Sequence, residues 1–446
     1  MKIKLCAFIL AVTVLFTACG KAANPANPSE SNATSAGEKV TIRMIESLTS
    51  PERTAVLRAI ADKFEEENKN VKVEIISPPL EGADQKISQM LMAKQPLDVV
   101  EVREQTAAQF INNQWLAPLD TYMETWEGND TLTPAAKSAL SQIGDKAYLI
   151  PYGFYQRLLF YRADWFKDAG LQPPKTYEDI YKAGKVLTDP SKNRYGWSFR
   201  GGKGGVNMMD MLYWAYIGND KLAAPTAAYF LKDGNGKTIF STPEAKQALE
   251  FNKKLYKDTA PKDAIAWGFS EMVQGFIGGT TAMIVQDPEV IPTCQQNMKE
   301  GEWAVQVLPV GPSGQAVFPN GYAGWGMTSY TQNPDMVAKF ILFLSNEENN
   351  THFAKEYSTI PIHTTAPEID KSFVEGPFSV FVEMGKQPDV FCFGSAPQSY
   401  EAFGEYFNTV DQQYQKYYND QISADEMLSY LDKYWSDAYA KEGQKW

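Results

Sequence analysis

VTIRMIESLTSPERTAVLRAIADKFEEENKNVKVEIISPPLEGADQKISQMLMAKQPLDVVEV, residues 40–102, decides the fold. Val40, Ile42 and Met44 alternate as a half-buried strand does, and the chain then turns through Ser47 to Pro51. Val56, Leu57, Ile60, Ala61 and Phe64 follow at helical spacing, and Val71, Val73 and Ile75 make a second strand. Ile87, Met90 and Leu91 mark another helix, and Leu97 to Val102 is a nearly continuous apolar strand. Strand and helix alternate, which predicts a parallel or mixed sheet with right-handed crossovers.

Farther along, Thr176 is placed to cap a helix, with Asp179 three residues later to complete the cap. Asp233-Gly234-Asn235-Gly236 lacks the full ligand run and closing Glu of a calcium loop and reads as a turn between two short strands. Near the C-terminus, Phe403, Tyr406, Phe407, Val410, Tyr414 and Tyr417 form one helical stripe; Met427, Leu428, Leu431, Tyr434 and Trp435 form another. Stripes at this spacing are read as packing.

At the other end, Lys2 and Lys4 precede an apolar run from Leu5 to Phe16, the layout of an export signal over residues 1–18. The run is about twelve residues where a membrane span needs roughly twenty. Residues 19–38 are rich in Ala, Asn, Pro, Ser and Gly, a composition that reads as a flexible tether. About 400 residues then remain, enough for two lobes rather than one core. Loss of Lys2 and Lys4 takes the formal charge from -12 to -14, and so acidic a body argues against nucleic acid as a partner. Only His352 and His363 are present, which disfavours a His-rich catalytic zinc site; no metal or cofactor is expected. Cys294 and Cys392 are open to either reading, a pair or two separate buried thiols.

Five segments, taken in order, resemble the extracellular solute-binding proteins of carbohydrate ABC transporters, the maltose-binding-protein-like group. They are Ile42 to Glu46 with the Arg53 to Asn68 helix; Asp98 to Val102; Tyr148 to Pro151 running to Phe160-Tyr161-Arg162-Ala163-Asp164; Asp168 to Leu171 with Pro173 to Asp179; and Gly278 to Met283 followed by Leu308 to Pro312. Phe16-Thr17-Ala18-Cys19-Gly20 is similar to a lipobox, which implies a lipid on Cys19. The resemblance implies a two-lobed α/β periplasmic-binding-protein-like fold (type II) with a ligand cleft between lobes joined by a hinge. The chain is expected to cross near Tyr155 and Gln156, near Val285 and near Ser329, which gives lobes of 39–156 plus 286–328 and 157–285 plus 329–446. The implied protein is a monomer at the extracytoplasmic face of the cell membrane, held there by lipid alone. It would not be an enzyme; its partners would be a carbohydrate and the ABC permease subunits.

A sugar presents apolar faces and a rim of hydroxyls, so its site needs aromatic platforms and planar hydrogen-bonding groups, carried on loops at the carboxyl ends of strands. In the first lobe that selects Glu46 after the first strand, Glu101, Arg103 and Glu104 after the third, and Glu81 as a companion. Tyr155 and Gln156 stand at the first crossing, Tyr155 on a position that touches ligand in the maltose-binding relatives. In the second lobe, Trp197 and Asn207 flank a Gly201–Gly205 loop that lacks the Lys-Ser/Thr ending of a phosphate loop and reads as a flexible cleft edge. Trp267, Phe269 and Trp325 are large aromatics beside glycines, which suits exposed loops. Where the maltose-binding relatives carry Gly-Pro-Trp this chain has Asp287-Pro288-Glu289, so one sugar platform is gone and Asp287 is left to bind hydroxyls. Phe403 stands about where another stacking Trp does.

Three rivals use the same residues. A secreted glycoside hydrolase needs two carboxyl groups across a glycosidic bond, for which Glu101 with Asp287 is a candidate pair. A surface adhesin or chemoreceptor partner would share the site and lack the transport role. The same fold could also take a non-sugar, phosphorylated or otherwise acidic solute, with Arg103 and Lys203 as its cations.

Overall fold

The computed structural model describes residues 39–80, 82–140, 146–232, 234–319 and 321–445. The expected export signal and tether, with Cys19, and Glu81 lie outside the described residues.

Among the described residues eleven strands run in chain order: β1 (Val40–Ile45), β2 (Val71–Ile76), β3 (Val99–Arg103), β4 (Leu116–Ala117), β5 (Ile150–Tyr155), β6 (Leu158–Tyr161), β7 (Met283–Gln286), β8 (Ala304–Gln306), β9 (Ala316–Phe318), β10 (Gly321–Thr328) and β11 (Phe391–Phe393). The opening stretch folds as its periodicity predicts. β1 pairs in parallel with β2 from Val40↔Val71 to Ile45↔Ile76, and with β3 through Met44↔Val99. The intervening Pro51–Glu67 helix starts at Ser50, whose side chain accepts the Arg53 N–H, with Pro51 where no amide hydrogen is needed. It buries Leu57, Ile60 and Phe64, each worth about 1.5–3 kcal/mol in apolar transfer. β10 then enters antiparallel to β3, β4 and β5, which makes the sheet mixed, in the order β2-β1-β3-β10-β4 with β5 also on β10.

A second core is built on the antiparallel trio β7-β6-β8 and the parallel pair β11-β9. Its largest contributors are the helices Val206–Ile217, Pro243–Thr259, Ala402–Tyr418 and Ala424–Glu442. Both C-terminal stripes face inward, and Trp435 packs 5.0 Å from the rings of both Tyr229 and Tyr406. The Thr176 cap forms as predicted: its hydroxyl accepts the Asp179 N–H at 3.1 Å and the Asp179 carboxylate accepts the Thr176 N–H at 3.0 Å. Beyond Leu231 the chain doubles back so that Phe230 bridges Thr238, a turn as expected. Cys294 and Cys392 are both free and buried.

Two of the three expected crossings fall elsewhere. The buried residues of β5 belong to the first core and those of β6 to the second. At Val285 the chain stays in the second core, because the Val290–Asn297 helix after β7 buries Val290, Ile291 and Cys294 there and β8 adds to β6. It passes to the first core between β9 and β10 instead. Nor does it leave at Ser329: Val337, Phe340, Ile341 and Leu344 all bury in the first core, with Phe340 at 4.9 Å from Phe64. The return comes in the segment from Phe353 to Ala366, where Ala354 already packs in the second core. The buried residues of the first core run from Ile42 to Phe154 and from Tyr322 to Ile362, where 39–156 plus 286–328 was expected. An apolar strand that ends in Asp-Pro-Glu reads alike whether the chain then crosses or turns back.

Candidate ligand-binding site

The carboxyl ends of β1 and β3 meet at a buried ion cluster. Arg53 is fully buried and its guanidinium bridges Glu46 and Glu101, at 2.9 Å from the Glu101 carboxylate. Glu101 also accepts the Ser47 N–H at 2.6 Å, the Leu48 N–H at 3.2 Å and the Tyr152 hydroxyl at 2.6 Å. Four rings enclose the cation, with Tyr357, Tyr152, Phe353 and Trp325 at 5.0, 5.3, 5.3 and 5.6 Å. Three expectations change as a result. Glu46 and Glu101 are less than 2% exposed and spend their oxygens on this cluster, so neither is presented to a ligand. Trp325 is also buried, in mid-strand on β10 rather than on a loop. Its flanking glycines serve strand packing, since a Cβ on Gly324 would lie 2.4 Å from the Ile150 carbonyl oxygen and one on Gly326 at 2.9 Å from Val102.

From the cluster one hydrogen bond leads outward. The Tyr152 and Tyr155 hydroxyls lie 2.9 Å apart, and Tyr155 sits half-buried, edge-on to Tyr357. Around it both lobes contribute charge. Arg103 and Glu104 come from the end of β3, and Arg103 pairs with Asp84 at 3.0 Å. Arg157 follows the first crossing and pairs with Asp287 at 2.9 Å. Asp287 and Glu289 come from the end of β7, and Arg200 from the loop before the 206–217 helix. These groups act on one another across the lobes. Burial raises Asp287 above the ordinary carboxylate range against the pull of Arg157, Arg200 and Arg103. Burial and then Asp287 push Glu289 up to about 8. Glu104 is raised by burial despite Arg103. Burial, then Arg157, lowers Arg200 to about 10.

The Gly201–Gly205 loop is not a free edge. Asp411, on the 402–418 helix, accepts the Gly204 N–H at 2.6 Å and the Val206 N–H at 2.9 Å, and so caps the 206–217 helix from a neighbouring element. Gln415 donates to the Gly201 carbonyl at 3.0 Å. Gly204 takes φ +86, a conformation that suits glycine. Trp197, 2% exposed, and Asn207 line a cavity of about 30 Å3 together with Arg157, Arg200 and Gln286. Phe269 lies with its ring 6.0 Å below Arg200, while the Trp267 indole N–H donates to Asp263 and its ring covers Gly275. Phe403 is 4% exposed and packs on Phe407, so it offers no platform. A larger hollow of about 440 Å3, beside Trp303 and Pro377, has Glu300 as the sole titratable side chain on its wall and touches none of these groups.

The structure thus assembles Arg103, Glu104, Tyr155, Asp287, Trp197, Asn207 and Phe269 of the expected residues at or beside the junction of the lobes, with Gln156 half-buried at the crossing itself. Sequence reasoning missed Arg157, Arg200, Glu289, Tyr357 and Asp84. Arg157 adjoins the crossing and Glu289 lies within the quoted Asp-Pro-Glu, so both carried a local signal. Tyr357 carried none. The Glu101 and Asp287 pair cannot serve as hydrolase carboxyls, because Glu101 is already held by four donors, one of them the ion-paired Arg53.

The description "Bacterial extracellular solute-binding protein" belongs to the family model that matches residues 49–351. A Deinococcus radiodurans protein named "Probable ABC transporter-binding protein" is 25% identical over 235 residues, 50% of this chain and 53% of its own. The maltodextrin-binding protein of Bacillus subtilis is likewise 25% identical over 235 residues, 50% of this chain and 52% of its own. The chain therefore spans about half the length of these two relatives. An ABC substrate-binding protein of Listeria monocytogenes, solved with cycloalternan, superposes with a TM-score of 0.76 at 19% identity, over 92% of this chain and 100% of that one. Two lobes, a charged and aromatic junction between them and a match over most of the chain lead to one assignment: this chain belongs to the bacterial extracellular solute-binding proteins.

Proposed function

We propose that this chain is the substrate-binding component of an ABC importer, lipid-anchored through Cys19 at the outer face of the cell membrane, and that it captures a sugar or oligosaccharide between its lobes for the permease. The observation that carries the ligand class is the convergence of Arg103, Glu104 and Tyr155 with Arg157, Arg200, Asp287 and Glu289. Planar acceptors and donors from both lobes around a tyrosine are what a ring of hydroxyls requires. The maltodextrin and cycloalternan named for the relatives support a carbohydrate.

A thermal-shift and tryptophan-fluorescence screen against mono- and oligosaccharides and polyols tests the reading, since a ligand of the native state raises its melting temperature. A sugar that raises it in a saturable manner is the expected result; a flat response across the panel rejects the carbohydrate. The anchor is checked separately by palmitate labelling of cells, in which Cys19→Ala should abolish the label and release the protein.

A further inference from the structure

Within the site just described, the second-lobe cavity has a chemistry of its own. Its volume is about 30 Å3. Three buried N–H groups of its lining residues have no partner among the described residues: Arg157 Nε, Trp197 Nε1 and Gln286 Nε2. Trp197 and Gln286 are 2% and 1% exposed. An indole or a guanidinium can only donate. The Gln286 oxygen is already used, accepting from Arg157 and from the Asp287 N–H, while its NH2 end has no partner among the described residues.

No carboxylate lines this cavity. Of the three that act on Arg200, Asp287 is tied to Arg157 through one oxygen, its other oxygen being unpartnered, Asp411 is filled by the Gly204 and Val206 amides, and burial pushes Glu289 up to about 8. The Ser198 hydroxyl donates to the Met272 carbonyl. Arg200 adds a second guanidinium to the wall, and its depressed pKa reflects burial and the nearness of Arg157. The Arg157 Nε, Trp197 Nε1 and Gln286 Nε2 donors are left without an acceptor, and a carboxylate meets several such donors at once.

We infer that the cavity walled by Arg157, Trp197, Arg200 and Gln286 is an oxyanion subsite, and that the captured saccharide carries an acidic substituent such as a carboxylate. Its ring hydroxyls would then donate to Glu104, Asp287 and Glu289 outside the cavity. The inference rests on the carbohydrate reading above.

Isothermal titration of the mature protein with D-galacturonate, D-glucuronate and their oligomers, against D-galactose, D-glucose and theirs, with glucose 6-phosphate as a third arm, separates the possibilities. The uronates are expected to bind at least about tenfold more tightly than their neutral counterparts, the equivalent of about 1.4 kcal/mol. Tightest binding by the phosphate ester keeps the oxyanion subsite and changes the oxyanion. Neutral sugars that bind as well or better overturn the inference and leave the carbohydrate reading intact. No binding in any arm overturns both. Trp197→Phe, which removes the indole donor and keeps a ring, should erase the preference for acid; Gln286→Met is the second variant should the first fail to fold. A preference that survives in a folded variant removes the cavity from the account.

Discussion

Removal of Arg53 leaves Glu46 and Glu101 facing each other where no water reaches. Breaking a buried ion cluster from one side costs about 3–5 kcal/mol, and Arg53→Met is expected to fall in that range by urea denaturation. A second residue gives a pH signature. Asp210, buried and bonded by the Tyr229 hydroxyl at 2.8 Å, is pushed up to about 8 by burial. The folded state therefore holds a proton that the unfolded chain releases near pH 4, so this contribution to stability is full in acid and is lost as pH rises through about 8. Asp210→Asn should gain on the wild type progressively from pH 5 to pH 8; an equal offset at both ends rejects the assignment. At this scale the sequence was half legible. Glu46, Glu101, Arg103 and Glu104 could be placed at strand ends by topology alone, but which pair were inward followed from Arg53, four residues before Leu57 on the buried stripe. A charge on an apolar stripe was the signal available.

The elements were read more surely than their connections. Alternation found β1, β2 and β3, and the Thr176 and Asp179 pair found its helix, because those patterns are local. Gly324-Trp325-Gly326 misled because glycine marks loops and tight strand packing alike, and only the approach of Ile150 tells them apart. The cap supplied by Asp411 is beyond sequence reading, since it joins helices about 200 residues apart. Asp411→Ala should cost about 1–2 kcal/mol, in line with loss of a cap, and weaken ligand binding as the 200–205 loop loosens. Asp411→Asn keeps an acceptor and should recover much of both. A loss of affinity without loss of stability would show that Asp411 touches the ligand instead.

On the scale of the molecule, Arg103 of one lobe and Asp287 of the other lie within each other's field. Such a junction draws its lobes together most strongly when a ligand completes its hydrogen bonds. Small-angle scattering should show the radius of gyration fall on ligand addition, and at a hundredfold excess over Kd the ligand should add about 2.7 kcal/mol to stability. An unchanged radius with a raised melting temperature rejects hinge closure and retains binding. The pairing of lobes followed from length and alternation; the places where the chain changes lobes did not, because they depend on which core the 290–297 and 334–344 helices enter.

The position of β10 also sets an order in time. It lies between β3 and β4 in the first sheet, yet the ribosome makes it only after nearly all of the second lobe's strands. A nascent chain halted before Gly321 has β1, β2 and β3 with nothing to join them to β4 or β5, and its first lobe should be open to protease while the finished chain resists. The lobe begun first is completed late, and until then the N-terminal third of the protein can still be threaded.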